Sequence, residues 1–277
     1  MMNIPGYADW RGIAARYLFV ALCGLVLLFL VLPVLTVIPL SFSADPYFHY
    51  PIREFSLRWY QDIVDSPYWM PALRNTMIVG LCATAIATAL GVLAALGLSQ
   101  SNLPGKAWIT ALLLSPMIVP LVIAAVGMYF FYTRVGLSDG LLGLILAHAA
   151  LGTPFVVITV TATLVGYNEN LSRAARGLGA GPACVFWKVK LPLIAPGVVS
   201  GALFAFATSF DEVIVAIFLA GVEQRTIPRQ MWSGVREQLS PTILAVATIL
   251  VLFSILLLVA LELLRRRGER LRGIAPA

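Results

Sequence analysis

The chain has 277 residues, of which 60% are hydrophobic and only 12% are charged, and its formal net charge is +6. Soluble domains carry about 25% charged residues, which keep their surface hydrated. A share this low leaves too little polar surface for a soluble globule, so the composition predicts a protein that lies in the lipid bilayer. The positive charge then indicates Lys- and Arg-rich cytoplasmic loops, and we expect no nucleic-acid partner.

Six apolar stretches are long enough to cross the hydrocarbon core, which takes about 20 mainly apolar residues. The first is too long for the apolar part of a secretory signal peptide, so we expect an uncleaved anchor helix. Prolines inside several stretches are compatible with membrane helices, where neighbouring helices can satisfy the freed carbonyls. The sequence therefore predicts an all-α polytopic membrane protein with six transmembrane helices, at about residues 17–40, 74–98, 108–132, 141–166, 193–221 and 243–264.

The 19 Lys and Arg residues divide unevenly between the two sides that these spans define, with twelve on the side of the termini and seven opposite. Because cytoplasmic loops are enriched in Lys and Arg, both termini are predicted to be cytoplasmic. The first outer loop is rich in aromatic residues, and a helix near Leu57–Val64 is predicted to lie flat at the outer membrane surface. The predicted layout is a cytoplasmic N-terminus (1–16), a first transmembrane helix (17–40), a periplasmic loop with the interfacial helix (41–69), the main transmembrane domain (70–264) and a cytoplasmic tail (265–277).

The predicted cytoplasmic loop between spans four and five, residues 167–192, has the pattern of two short helices joined by a sharp turn. Asn170 or Ser172 can cap the first helix. Gly179 and Gly181 can adopt the positive φ angles that end it. The loop is therefore predicted to form a helical hairpin at the membrane surface, and its small alanines would let a partner surface approach closely.

The residue spacing of this hairpin resembles the cytoplasmic motif of binding-protein-dependent ABC importer permeases, which is Glu-Ala-Ala, three residues, Gly, nine residues, Ile, one residue and Leu-Pro. Val189 stands in place of the isoleucine, and Arg173 stands in place of the glutamate. Two explanations of this charge reversal are open: the ATPase groove carries a compensating acid, or Glu169, one turn earlier, supplies the negative charge. The other motif positions match at Ala174, Ala175, Gly179, Leu191 and Pro192.

The resemblance covers about residues 70–264 and implies the type I transmembrane domain of these importers, in the bacterial inner membrane. It implies that the hairpin is a coupling helix in a cleft of a separate cytoplasmic ATPase dimer. The chain has no GxxxxGK[ST] phosphate loop, so we expect no catalytic site, metal or cofactor in this chain, with ATP and Mg held by the ATPase. The other implied partners are a second permease subunit, in a homodimer or heterodimer, and a periplasmic solute-binding protein. The ATPase-coupling residues that the resemblance implies are Glu169, Arg173, Ala174, Ala175, Gly179, Leu191 and Pro192.

Span five carries two acids, Asp211 and Glu212, in an otherwise apolar segment. An ionised side chain near the bilayer centre costs about 2.5–3.5 kcal/mol, so such residues usually face a cavity or an opposite charge. In a continuous helix adjacent residues point about 100° apart, so one acid could line a pathway while the other pairs with a hydroxyl or an arginine. Two alternatives are open: both acids form structural salt bridges with Arg225 or Arg229, or the helix breaks here and Ser209 or Asp211 caps the second half.

The segments Ser209–Val215 and Arg225–Pro228 resemble the spermidine/putrescine branch of these permeases, in particular the second of its two unlike permease subunits. Acidic groups suit a dication or trication, and flanking phenylalanines could add cation–π contacts. The resemblance implies a permease that forms half of the pathway for a polyamine such as spermidine or putrescine; the alternative cargo is another small solute, such as an opine or an amino-acid-like compound. The pathway residues predicted are Thr208, Phe210, Asp211 and Glu212.

Two other classes of membrane protein fit the sequence less well. An ion-coupled carrier is expected to show internal repeats, and none is evident. An intramembrane enzyme would need a constellation such as HExxH or facing aspartates, which His148 and Asp211 alone do not make. His148 is instead predicted to be a neutral histidine hydrogen-bonded to a neighbouring helix.

Overall fold

The computed structural model describes residues 10–99, 103–237 and 240–271. Within these ranges the ordered structure is helical, apart from one isolated β-bridge between Ser43 and Phe55. The helices are α1 (Trp10–Leu40), α2 (Arg58–Asp65), α3 (Trp69–Leu98), α4 (Lys106–Ile118), α5 (Leu121–Arg134), α6 (Leu141–Val165), α7 (Glu169–Gly177), α8 (Pro182–Val185) with a π-helical turn (Phe186–Lys190), α9 (Leu191–Phe210), α10 (Ile214–Leu219), α11 (Ile227–Glu237) and α12 (Thr242–Leu271).

The long apolar helices confirm the all-α multi-pass fold. Among the described residues, five helical segments are long and apolar enough to cross a membrane: most of α1, α3, α6, the continuous segment from α8 to α9, and the first part of α12. The pair α4 and α5 makes a sixth span if the two helices are counted together. The predicted number of six spans is therefore reached only through this bent pair.

The predicted third span, residues 108–132, is not one helix. α4 ends at Ile118, α5 begins at Leu121, and their axes differ by 104°. Val119 between them is extended, as a residue that precedes proline tends to be, and Pro120 has no N–H to continue the helical hydrogen bonds. The prediction treated this proline as a tolerated interruption, and the structure shows a break.

The chain forms two compact units, which are described separately. Residues 10–65 and 240–251 form one unit, and the other described residues form the second. In the first unit, α2 lies where the sequence predicted a helix in the outer loop. Its Trp59 is buried and donates its indole N–H to the carbonyl oxygen of Ser43 over 2.7 Å. The placement of α2 at the membrane surface stays a prediction.

The core of the second unit is formed by α3, α6 and α9, which approach closely through small residues. A Cβ atom at Gly152 of α6 would lie 3.0 Å from the Cβ of Ala205 on α9 and 3.4 Å from the Cβ of Ala87 on α3. Small residues allow such close packing between membrane helices. α9 is about 30 Å long at 1.5 Å per residue, and it carries the loop hairpin at its first end and the two acids at its last.

Candidate functional site

The first helix of the hairpin, α7, begins with a side-chain cap. The Asn168 side chain accepts a hydrogen bond from the backbone N–H of Asn170 over 3.0 Å. The prediction that Asn170 or Ser172 caps this helix is wrong, because both residues lie inside α7. Ser172 is buried instead, and its hydroxyl lies 2.7 Å from the hydroxyl of Tyr167. Asparagine is a preferred capping residue, so the signal for Asn168 was present in the sequence.

The turn of the hairpin depends on one glycine. Gly179 has a φ of 87°, which confirms the prediction, and an L side chain would be strained there. Gly181 has a φ of −69° and is extended, so the prediction of a left-handed Gly181 is wrong. The cause is Pro182, which begins α8 and disfavours helical angles at the residue before it. The π-helical turn that follows was not predicted, and such turns are often found at functional sites.

An ion pair joins the beginning and the end of the hairpin. The Lys190 Nζ lies 2.8 Å from the Glu169 Oε1, and the same Nζ lies 5.0 Å from the ring centroid of Tyr167. The Glu169 side chain is 54% exposed, whereas the Lys190 side chain is 16% exposed. Glu169 therefore already has a cationic partner within this chain.

The two sides of α7 differ in chemistry. Because adjacent helical residues point about 100° apart, Leu171, Ala174 and Leu178 project to one side, and all three are exposed. The opposite side lines a cavity of about 950 Å³ under the hairpin. The residues of α7 in this lining are Glu169, Ser172, Arg173 and Arg176.

The residues predicted to couple to an ATPase thus fall into separate groups. Ala174 and Gly179 are exposed, and Ala175 is half-buried at the edge of the same side. Glu169 and Arg173 face the cavity, as described above. Leu191 packs against the buried core of α3, α6 and α9, and the neighbouring Pro192 is exposed in the first turn of α9.

Besides the hairpin, the candidate site contains a break in the predicted fifth span. α9 ends at Phe210, and α10 begins at Ile214, so residues 193–221 do not form one helix. The Glu212 side chain is buried, and its Oε1 accepts a hydrogen bond from the backbone N–H of Val215 over 2.9 Å. The alternative of a helix break is therefore confirmed. The prediction that Ser209 or Asp211 supplies the cap is wrong: the N-cap residue Val213 makes no side-chain bond, and Glu212, the residue before it, accepts the hydrogen bond from the first turn of α10.

Neither acid forms an ion pair with an arginine in the described part of the chain. Arg225 donates a hydrogen bond to the side chain of Gln230 over 3.2 Å. Arg229 donates to the carbonyl oxygens of Ala220 and Gly221. The structural salt bridges that the sequence left open are thus absent from the described residues, and the Asp211 side chain is exposed at the break.

The end of α9, directly before the break, contacts α6 through Ser209 and α12 through Phe210. The Nδ1 atom of His148 lies 2.8 Å from the Ser209 hydroxyl, and the imidazole is buried, which confirms the predicted hydrogen bond between helices. Phe210 is buried, with its ring centroid 4.8 Å from that of Phe253. Thr208 is half-buried. Of the four predicted pathway residues, Asp211 is therefore the one whose side chain is exposed.

Two polar residues near the start of α3, Asn75 and Thr76, were missed by the sequence reasoning. Asn75 donates hydrogen bonds to the carbonyl oxygens of Glu223 and Arg225, over 2.8 and 3.1 Å. Thr76 accepts a hydrogen bond from the backbone N–H of Ile227 over 2.8 Å. These bonds fix the segment between α10 and α11. Adjacent Asn and Thr residues in an apolar span were the available signal.

Comparison with known proteins identifies the family. A family model described as the binding-protein-dependent transport system inner membrane component matches residues 87–270. The chain belongs to this family. The prediction of an importer permease is thereby confirmed, and the permease is a multi-pass protein of the inner membrane and a transport subunit rather than an enzyme.

Individual relatives agree with this assignment. The permease is 31% identical over 241 residues to the spermidine/putrescine transport system permease protein PotC of Haemophilus influenzae. The matched region covers 87% of this chain and 93% of PotC. It is 29% identical over 203 residues to the putrescine transport system permease protein PotI of Escherichia coli, covering 71% and 72% of the two chains.

Solved structures of ABC transporters share the fold. A bacterial ABC transporter involved in the import of the acidic polysaccharide alginate matches with a TM-score of 0.72 and 17% identity, over 94% of the permease and 98% of that chain. An amino acid ABC transporter matches with a TM-score of 0.56 and 20% identity, over 76% of the permease and 98% of that chain. At these identities the likeness concerns the fold.

Proposed function

We propose that the permease is one of two unlike membrane subunits of an ATP-driven importer for a polyamine such as spermidine or putrescine. The observation that carries this proposal is the 31% identity to PotC over 93% of its length. In this importer a periplasmic solute-binding protein delivers the cargo, and a cytoplasmic ATPase dimer binds ATP and Mg. Both termini and the hairpin face the cytoplasm.

The ATPase meets the apolar side of α7. Leu171, Ala174 and Leu178 form this side, and Leu178, directly after the last residue of α7, is 90% exposed. An exposed apolar stripe on an amphipathic helix is typical of a surface that docks into a partner's groove. Arg173 lies on the opposite side of α7, so the charge reversal in the motif leaves the docking side unchanged.

The hairpin transmits the ATPase movement to α9. Its beginning and its end are joined by the ion pair of Glu169 with Lys190, and Leu191 directly continues into the core. Gly179 allows the sharp turn between the two arms. A hairpin whose end continues directly into α9 moves with the first turn of that helix rather than bending independently of it.

The cargo meets Asp211 at the break after α9. The Asp211 carboxylate is exposed and has no ionic partner in the described residues, so it can accept charge-assisted hydrogen bonds from an ammonium group. Glu212 has a different role, because it is buried and caps α10. It holds the break that presents Asp211.

Uptake by the reconstituted importer tests the proposed cargo. Proteoliposomes with both permease subunits, the ATPase and the binding protein should accumulate labelled spermidine, and this uptake should need both ATP and the binding protein. Unlabelled putrescine should compete, whereas an amino acid or molybdate should not. Uptake of an amino acid or molybdate in place of spermidine would show that the cargo is wrong, and spermidine uptake without ATP would show that the importer assignment is wrong.

A further inference from the structure

The cavity under the hairpin has two chemically different walls. One wall is mainly apolar and comes from the end of α3, the connection to α4, α8 and the start of the π-helical turn; its residues are Leu96, Ser99, Leu103, Pro104, Pro182, Val185 and Phe186. The other wall is the polar side of α7. The volume of about 950 Å³ lies at the upper end of the range of about 300–1,000 Å³ that is usual for ligand sites. Such a space is far larger than a single carboxylate or phosphate group.

Two arginines give the polar wall its charge. Arg173 and Arg176 are three residues apart, so they lie on the same side of α7. The lining contains one acid, Glu169, and its carboxylate is engaged with Lys190 over 2.8 Å. Among the side chains that the structure describes, no acid pairs with either arginine. The lining therefore includes two arginines without an acidic partner, and a guanidinium group suits the bidentate recognition of phosphate.

We propose that this cavity binds an anionic phospholipid of the cytoplasmic leaflet. The phosphate lies against Arg173 and Arg176, and the glycerol and the first part of an acyl chain lie along the wall that contains Leu96 and Phe186. Basic pockets between membrane helices on the cytoplasmic side are known to suit anionic headgroups. The inference rests on the proposed function in two respects, the cytoplasmic position of the hairpin and the side of α7 that meets the ATPase.

Three features favour a lipid over a soluble anion or an acidic side chain of the ATPase. Leu96 lies in the last turn of a spanning helix, which is the level of the lipid headgroups. Inorganic phosphate would leave the apolar wall unfilled. The apolar side of α7, which is proposed to meet the ATPase, faces away from the cavity.

Native mass spectrometry of the purified importer can test this site. The complex is first reconstituted in membranes that contain phosphatidylglycerol and phosphatidylcholine, and the retained lipid is then counted. The wild-type complex should retain one phosphatidylglycerol for each copy of the permease and no phosphatidylcholine. The Arg173→Gln/Arg176→Gln double variant should retain about tenfold less, because each basic residue near the headgroups strengthens anionic lipid binding several-fold. The Arg173→Lys/Arg176→Lys variant should retain most of it.

A matched control removes two other cations of the predicted cytoplasmic side of the membrane, Lys106 and Lys188. Neither residue lines the cavity. The Lys106→Gln/Lys188→Gln variant should retain the lipid as the wild type does. Equal retention by the wild type and the double arginine-to-glutamine variant would overturn the proposal. Displacement of the lipid by inorganic phosphate would overturn it in favour of a soluble anion. If the double arginine-to-glutamine variant lost the ATPase subunit but kept the lipid, the arginines would instead bind an acidic surface of the ATPase, and the proposal would be overturned.

The lipid count does not depend on the cargo. An importer that takes up no polyamine but retains phosphatidylglycerol through its arginines would contradict the proposed function and support the lipid site. Polyamine uptake with no retained lipid would support the proposed function and contradict the lipid site.

Discussion

The hairpin before α9 and the break after it are both short interruptions of helix, but they are stabilised in different ways. In the hairpin the polar contacts join residues of the same loop, such as Tyr167 with Ser172 and Glu169 with Lys190. At the break, Ser209 bonds to His148, 61 residues away in the chain. The hairpin is thus a locally determined module, whereas the break combines the local hydrogen bond between Glu212 and Val215 with the packing of α6 against α9.

This difference explains what each region leaves exposed. The hairpin places its polar contacts on the cavity side and leaves an apolar stripe around Leu178 for a protein surface. The break buries Glu212 as a cap and leaves Asp211 exposed for a charged cargo.

A charge on the apolar side of α7 should disrupt docking most strongly. Leu178→Asp should lower ATP-driven uptake about 30-fold, which is the effect of losing a central interface contact of about 2 kcal/mol. Uptake into proteoliposomes and co-purification of the ATPase measure the change. The control Leu178→Met keeps the apolar surface and should transport normally. Wild-type uptake by Leu178→Asp would contradict the docking side assigned to α7.

Removing the exposed acid at the break should impair transport without affecting docking. Asp211→Asn should lower polyamine uptake about tenfold, because a hydrogen bond to a charged group contributes about 1.5–3 kcal/mol. The ATPase should still co-purify. Glu223→Gln is the matched control, since Glu223 is an exposed acid in the segment after α10. If the Asp211 and Glu223 variants transport equally well, Asp211 does not contact the cargo.

The buried acid should matter for stability rather than for cargo. Glu212→Ala leaves the Val215 N–H without its acceptor, so the free energy of unfolding should fall by about 1 kcal/mol, as for other lost helix caps. Thermal unfolding of the purified permease measures this change. Asp211→Ala should have a smaller effect on stability, because its side chain is exposed. The opposite order of the two variants would contradict the division of roles between these acids.

The ion pair of the hairpin should contribute least. Because the Glu169 side chain is 54% exposed, a double-mutant cycle of Glu169→Gln with Lys190→Met should give a coupling energy of about 0.2–1 kcal/mol. The cycle is measured by thermal unfolding, with both single variants as references. A coupling energy above about 2 kcal/mol would show that this pair, rather than the backbone turn at Gly179, holds the hairpin together.

Much of the hairpin could be predicted because its constraints are local. The positive φ of Gly179 and the place of Pro182 at the start of α8 follow from the steric properties of single residues. The error at Gly181 is also local, since a following proline disfavours helical angles. The angle of about 100° between Arg173 and Ala174 follows from helical geometry once the limits of α7 are known.

The breaks could not be predicted in the same way, because hydropathy does not distinguish a continuous apolar helix from an interrupted one. Pro154 and Pro196 lie inside α6 and α9, which continue through them. Pro120 instead separates α4 from α5. The same residue type gives different results because packing of the neighbouring helices decides whether the freed carbonyl groups are satisfied.

The most direct test of the two-sided hairpin is cross-linking to the ATPase from opposite sides of α7. The native cysteines Cys23, Cys82 and Cys184 are all free and exposed, so they are first replaced by serine. Single cysteines are then introduced as Ala174→Cys and Arg176→Cys in the assembled importer. We predict that position 174 cross-links to the ATPase, more strongly when ATP is bound, and that position 176 does not. Cross-linking from position 176 and not from position 174 would contradict the assignment of the docking side.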